Sequence, residues 1–237
     1  MNEDYGGVWV REYDNNIIRY IWQYRVPDQY RNLVRYHASK RIEQMELKLA
    51  NIETKVYETL EERKKKFPLN AYTQMITELA MCVYIYGPTE GPKQFDKARK
   101  IMNDNPKGDD GGSDVPGFQI DVKGSYMEKS QDFFEYALSV APSDKYNPNK
   151  EKFKGKPESL FVLALCKKDH IQTKKGPMIA HLIGWCWDCE IHTIYDVYKK
   201  VFKNKFILEV KDLHPMREFP DKQEMLNRIP DPKNYQS

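Results

Sequence analysis

Residues 114–125 read DVPGFQIDVKGS, and the fold turns on how this stretch is taken. From Phe118 to Lys123 apolar and polar residues alternate. A strand here therefore carries Phe118, Ile120 and Val122 on one face, and Gln119, Asp121 and Lys123 on the other. Val115-Pro116-Gly117 is a turn signal, so Asp114 sits just ahead of a short hairpin that brings its carboxylate back toward Asp121. An Asp–Lys pair two residues apart on an exposed strand is by itself ordinary surface, worth little. Its meaning depends on what surrounds it.

Upstream, Leu69 to Tyr86 patterns as a helix stopped by Gly87-Pro88. Glu78 lies at or beside its apolar stripe of Met75, Ile76, Leu79, Cys82 and Val83. A carboxylate there needs a partner, because burying an unpaired charge is very costly. A salt bridge to a nearby Lys or Arg, an edge position reaching water, and a functional site all meet that need. Residues 103–113 (NDNPKGDDGGS) form a polar, glycine-rich loop whose acids lack the spacing and the final glutamate of an EF-hand.

Downstream, Tyr136–Val140, Leu160–Cys166 and Ile179–Trp187 are strand candidates, and Ile191 to Phe202 patterns as a helix. Residues 1–68 read as helical after the opening Val8-Trp9-Val10. One helix spans Tyr13 to Tyr24, ended by Val26-Pro27, and Asp28 caps a longer one. In that longer helix Ile42, Met45, Leu49, Ile52, Val56 and Leu60 make a near-heptad seam. The seam suits a helical layer of the same chain or, as a 42–60 helix contact, a homo-oligomer. The run from Glu61 to Pro68 marks a boundary between a helical region, 1–68, and a core, 69–237. The expected class is α/β, a mixed sheet flanked by helices.

With 40% hydrophobic and 31% charged residues over 237 positions, the chain can bury a core and stay soluble. No apolar run approaches a membrane span and the N-terminus lacks a signal-peptide pattern, so a cytoplasmic protein with no membrane partner is expected. Four cysteines do not suggest a disulfide framework. Cys186 and Cys189 form a CxxC near Cys166, His170, His181 and His192, but strand alternation would place several of these on opposite faces, and core cysteines are the better reading. Between Lys123 and Lys211 there are 16 Lys and no Arg against 11 Asp plus Glu, an excess suited either to phosphates or to a solvated surface.

Asp114, Asp121 and Glu78 are hard oxygen donors of the kind that suits Mg²⁺ or Mn²⁺. A metal held between the two aspartates would activate a bound water, and Lys123 beside it could orient or deprotonate the attacking water. Glu78 on a helix, then Asp114, then Asp121-x-Lys123 on the next strand, followed by LFVLALCKKD and AHLIGWCWDCEI, resembles the PD-(D/E)XK nuclease superfamily, especially its small phage and prokaryotic members. The resemblance covers about residues 69 to 215. It implies a restriction-endonuclease-like core and a Mg²⁺- or Mn²⁺-dependent deoxyribonuclease acting on DNA, with RNA left open. It implies Asp114 and Asp121 as metal ligands joined by the backbone carbonyl of Val122, Lys123 as the catalytic lysine, and Glu78 as the helix acid of the metal site. The competing class is a non-catalytic nucleic-acid-binding or assembly protein that keeps the fold.

Overall fold

A computed structural model describes residues 7–14, 17–50, 60–104, 114–128, 132–140, 160–171, 177–188, 190, 201–202 and 205–227. Five strands form the main sheet in the order β1 (Val8–Asp14), β2 (Ile17–Arg25), β6 (Ile179–Trp187), β5 (Leu160–Lys167) and β3 (Ile120–Met127). β3 and β5 run parallel and the other neighbours antiparallel, so the sheet is mixed. The short β9 (His214–Pro215) adds to β6. A separate sheet holds β4 (Ala137–Val140), β8 (Lys205–Glu209) and β7 (Val201–Phe202). Helices α1 (Asp28–Ala50) and α2 (Leu60–Asp104) precede β3, and α3 (Lys222–Asn227) closes the described chain. None of the described helices is long and apolar enough to cross a membrane.

The layers follow from side-chain alternation. Along β5, Leu160, Val162, Ala164 and Cys166 join the core shared with α1 and α2, whereas Leu163 and Leu165 join a second core with Leu138 and Leu208 of the small sheet. β5 is thus covered on both faces, which explains its unbroken apolar run. All nine residues of β6 are buried. Its register against β5 shifts between Leu163 and Ala164, and the extra residue changes the phase of alternation. Leu182 and Trp185 consequently face the same helical core, three positions apart, while Ile183 and Cys186 face the other. Cys166 and Cys186 end up in opposite cores, as alternation requires; Cys189 and His192 lie outside the described residues.

Two expectations for the N-terminal region are corrected. Residues 13–24 are not a helix: β1 and β2 form an antiparallel hairpin with Val8 opposite Gln23 and Asp14 opposite Ile17, and β2 pairs with β6. The segment is rich in β-branched and aromatic residues, which favour a pleated, half-buried surface. Trp22 stacks on Tyr24 with ring centroids 5.7 Å apart, both inside the helical core. Nor does the run Glu61–Pro68 separate the helices, with a new one beginning at Leu69. α2 starts at Leu60 and carries Pro68 inside it; the lost backbone bond is offset by burial of Leu69 and Ala71 just beyond. Of the heptad seam, Ile42 and Met45 pack on the chain's own core, and Ile52 and Val56 lie outside the described residues. The expected helix over 191–202 is a short strand at Val201–Phe202, with 191–200 likewise outside.

The Gly87-Pro88 stop is real but local. Gly87 takes φ 82°, a conformation open chiefly to glycine, and the chain re-enters a helix at once. The second half then folds back against the first. A Cβ on Gly91 would lie 2.5 Å from the Val83 Cα, so only glycine permits this backbone approach.

His181 on β6 is buried with its Nδ1 3.4 Å from the Leu165 carbonyl and its ring against Phe133. Burial opposes its protonation and lowers its pKa to about 4. In the unfolded chain the imidazole titrates near its ordinary value, so between the two values the unfolded state binds more protons. The contribution is complete above about pH 6.5 and is lost as pH falls toward 4, amounting to on the order of 3 kcal/mol. Urea unfolding at pH 7, 5.5 and 4.5 should show this loss. His181→Asn, which keeps a donor for Leu165, should flatten the curve in that window.

Candidate metal and phosphate site

The site lies at the outer edge of β3, where the sheet ends. A cleft of about 560 Å³ is lined by Asn70, Thr73 and Gln74 of α2, by Asp114, and by β3 residues from Asp121 to Tyr126, with Ala137 and Leu163 as its apolar floor. The helix wall is readable from sequence. Asn70, Thr73, Gln74 and Thr77 recur at spacings of three and four, a polar stripe along one side of α2. Thr73 and Thr77 satisfy their own hydroxyls by donating to the Leu69 and Thr73 carbonyls at 2.8 and 2.9 Å.

Gly124 sets the distance between the helix and the strand. A Cβ there would fall 2.5 Å from the Thr77 Oγ1. Its place directly after Lys123 lets α2 rest on β3 beside Asp121 and Lys123.

Asp114 is held by the strand it precedes. Its backbone N–H donates to the Ile120 carbonyl at 2.8 Å, and its Oδ2 accepts from the Val122 N–H at 2.7 Å. The carboxylate thus occupies the place of a neighbouring strand's carbonyl on the open edge of β3. In extended backbone the N–H and C=O of one residue point to the same side. The Val122 carbonyl therefore also faces this edge, next to Asp114. The Tyr86 hydroxyl donates to the Pro116 carbonyl and pins the intervening turn to α2.

Asp121 and Lys123 project from the opposite face of β3 to Ile120 and Val122, as alternation requires. Their side chains are 32% and 36% exposed and pair through Oδ2 and Nζ. The ammonium also lies 5.6 Å above the Phe161 ring, a cation–π contact that restrains it further.

Glu78 is placed differently from the other three. Its side chain is fully buried, pairs with Arg99, and is not among the residues lining the cleft. The same Arg99 Nη2 lies 3.3 Å from the Asp114 Oδ1. One guanidinium therefore joins the helix acid to the hairpin acid. The sequence reading left Glu78's partner open and did not single out Arg99. The signal was present: Phe95, Arg99 and Met102 recur at four and three and all are buried, so an arginine occupied an apolar stripe.

Counting Glu78, Asp114 and Asp121 against Arg99 and Lys123 leaves three negative and two positive groups, a net charge of −1. Among the described residues no group of three or more His, Cys, Asp or Glu gathers as a metal cluster. The donors on the cleft are two carboxylates and one backbone carbonyl, all hard oxygens. That set fits Mg²⁺ or Mn²⁺, since Mg²⁺ is commonly held by one or two carboxylates and completes its shell with water and substrate phosphate.

Stability outcomes follow at three positions. Asp114→Ala removes a buried partner of Arg99 and the acceptor of the Val122 N–H, and should cost about 3 kcal/mol in urea unfolding. Asp121→Ala, at a side chain about one-third exposed, should change stability by less than about 1 kcal/mol. Gly124→Ala should cost roughly 1–3 kcal/mol through overpacking, and adding Thr77→Ala should recover most of it; equal melting temperatures for the single and double variants would contradict the contact.

Comparison of the chain with protein-family models, curated proteins and solved structures finds no match to any of them.

Proposed function

We propose that the protein is a metal-dependent nuclease that hydrolyses phosphodiester bonds of DNA, with a restriction-endonuclease-like core. The observation that carries this reading is the convergence of Asp114, Asp121 and Lys123 on one cleft at the edge of β3. Two carboxylates facing a cleft repel a phosphodiester unless a cation lies between. A site with oxygen donors and net negative charge has reason to take one up.

In this reading Asp114, Asp121 and the Val122 carbonyl hold Mg²⁺ or Mn²⁺. The bound ion supplies Lewis-acid stabilisation of the negative charge that develops on the phosphoryl oxygens, and makes water a better nucleophile. Asp114, buried and tied to the Val122 N–H, fixes one side of the site. Asp121 positions Lys123 through their ion pair. The Lys123 ammonium reaches the open cleft, where it orients the attacking water by hydrogen bonding and stabilises charge on the phosphate. Water's oxygen bonds to phosphorus as the bond to the leaving sugar oxygen breaks; the water's proton passes to solvent, and the leaving oxygen takes a proton from solvent. The polar wall of Asn70 and Gln74 lies opposite, suited to hydrogen-bonding the backbone or a base edge of a bound strand.

The test is cleavage of single-stranded, duplex and branched DNA in Mg²⁺ or Mn²⁺. Asp121→Ala and Lys123→Ala should each lower the rate by at least about a hundredfold, and EDTA should abolish it. Unchanged cleavage in Asp121→Ala would remove the proposed site. DNA binding by the wild type with no cleavage of any substrate would favour the non-catalytic binding protein instead.

A further inference from the structure

We infer that Arg99 is a positioning residue for Asp114, and that Glu78 acts on the site only through Arg99 rather than as a ligand of the metal. The inference rests on the nuclease reading of the cleft and departs from the role that the resemblance implies for the helix acid.

Three observations carry it. First, Glu78 is wholly buried, does not line the cleft, and is engaged by the Arg99 guanidinium. A carboxylate wholly buried against a cation and absent from the cleft lining is poorly placed to coordinate an ion in the cleft. Second, Arg99 Nη2 reaches Asp114 Oδ1 while the Val122 N–H holds Oδ2. Both oxygens of Asp114 are thus oriented by donors, and the carboxylate plane is fixed before any metal arrives. A carboxylate oxygen carries two lone pairs, so each can hold its donor and still face the cleft. Third, Arg99 is itself only 3% exposed, and a buried guanidinium beside Asp114 alone would nearly cancel the charge a metal needs. Glu78 supplies the compensating charge. Its function is to balance Arg99, so that Arg99 can orient Asp114 without neutralising the site.

Partners that orient a ligand typically change metal affinity by about ten- to a hundredfold when altered. Arg99→Lys keeps the charge but replaces the planar guanidinium, whose Nη2 meets both carboxylates, with a tetrahedral ammonium on a differently shaped stem. It should weaken Mn²⁺ binding, measured by isothermal titration below the melting temperature, by roughly tenfold. A lower melting temperature with unchanged Mn²⁺ affinity would reduce Arg99 to a structural role and overturn the inference.

Crystals of the wild-type protein soaked in Mn²⁺ provide a second measurement that needs no variant. Anomalous density should sit against Asp114 and Asp121, with Glu78 still on Arg99. A Glu78 oxygen within coordination distance of the Mn²⁺ would overturn the inference while leaving the nuclease reading intact. Absence of Mn²⁺ from the cleft, with no titration heat that Asp121→Asn removes, would instead overturn the nuclease reading, and this inference with it.

Discussion

The structure depends on one buried cation. Arg99 and Glu78 are 21 residues apart on α2, a separation of about 31 Å along a straight helix. They meet because Gly87 breaks the helix and Gly91 lets its second half lie against the backbone of the first. Burying a guanidinium is costly unless its charge and its donors are met. The Glu78 and Asp114 carboxylates meet its charge through Nη2, which ties the two halves of the helix together and reaches beyond it to Asp114. Asp114 in turn sets the edge of β3. The glycine kink, the ion bridge, the hairpin turn and the cleft form a single chain of dependence.

The sheet explains why the site is at β3 and not elsewhere. β5 and β6 are covered on both faces, by the helices on one side and the smaller sheet on the other, and β5 reaches the cleft through the apolar Leu163. Among the described residues β3 has a strand neighbour on one side only. An open strand edge is a liability because its unpaired backbone groups invite other strands. Here the edge is occupied by side chains: the Asp114 carboxylate takes the Val122 N–H, and the Tyr136 hydroxyl donates to the Tyr126 carbonyl at 2.9 Å. The same device that blunts the edge places a carboxylate beside a free-facing carbonyl.

Much of this was legible in the sequence where local pattern and tertiary environment agree. The two-residue period of 118–123 placed Asp121 and Lys123 on one face, and the largely apolar runs of β5 and β6 marked strands. The β1–β2 hairpin was not legible. Its edge position leaves Trp9, Ile18 and Val8 substantially exposed, so apolar residues fall on both faces and no clean alternation survives. The phase change in β6 was hidden for a different reason, because every residue there is buried and a bulge leaves no trace in hydropathy. Glu78 was recognised as needing a partner, but the partner lay across a kink whose geometry only Gly87 and Gly91 together define.

The four residues of the reading divide into a rigid and an adaptable half. Glu78 and Asp114 are buried and locked through Arg99, whereas Asp121 and Lys123 are about one-third exposed and paired with each other. A buried ionic cluster is seldom the most stable way to fill a core, since apolar groups of the same volume often do as well or better. What it provides is a fixed position and a fixed charge. An exposed Asp–Lys pair provides the reverse: weak mutual attraction in water that either group can give up for a stronger partner. In the proposed nuclease reading, a phosphodiester and its cation would need both halves, one to define where they bind and one that can exchange its contacts as charge moves. The edge of β3 supplies the two from residues only seven positions apart.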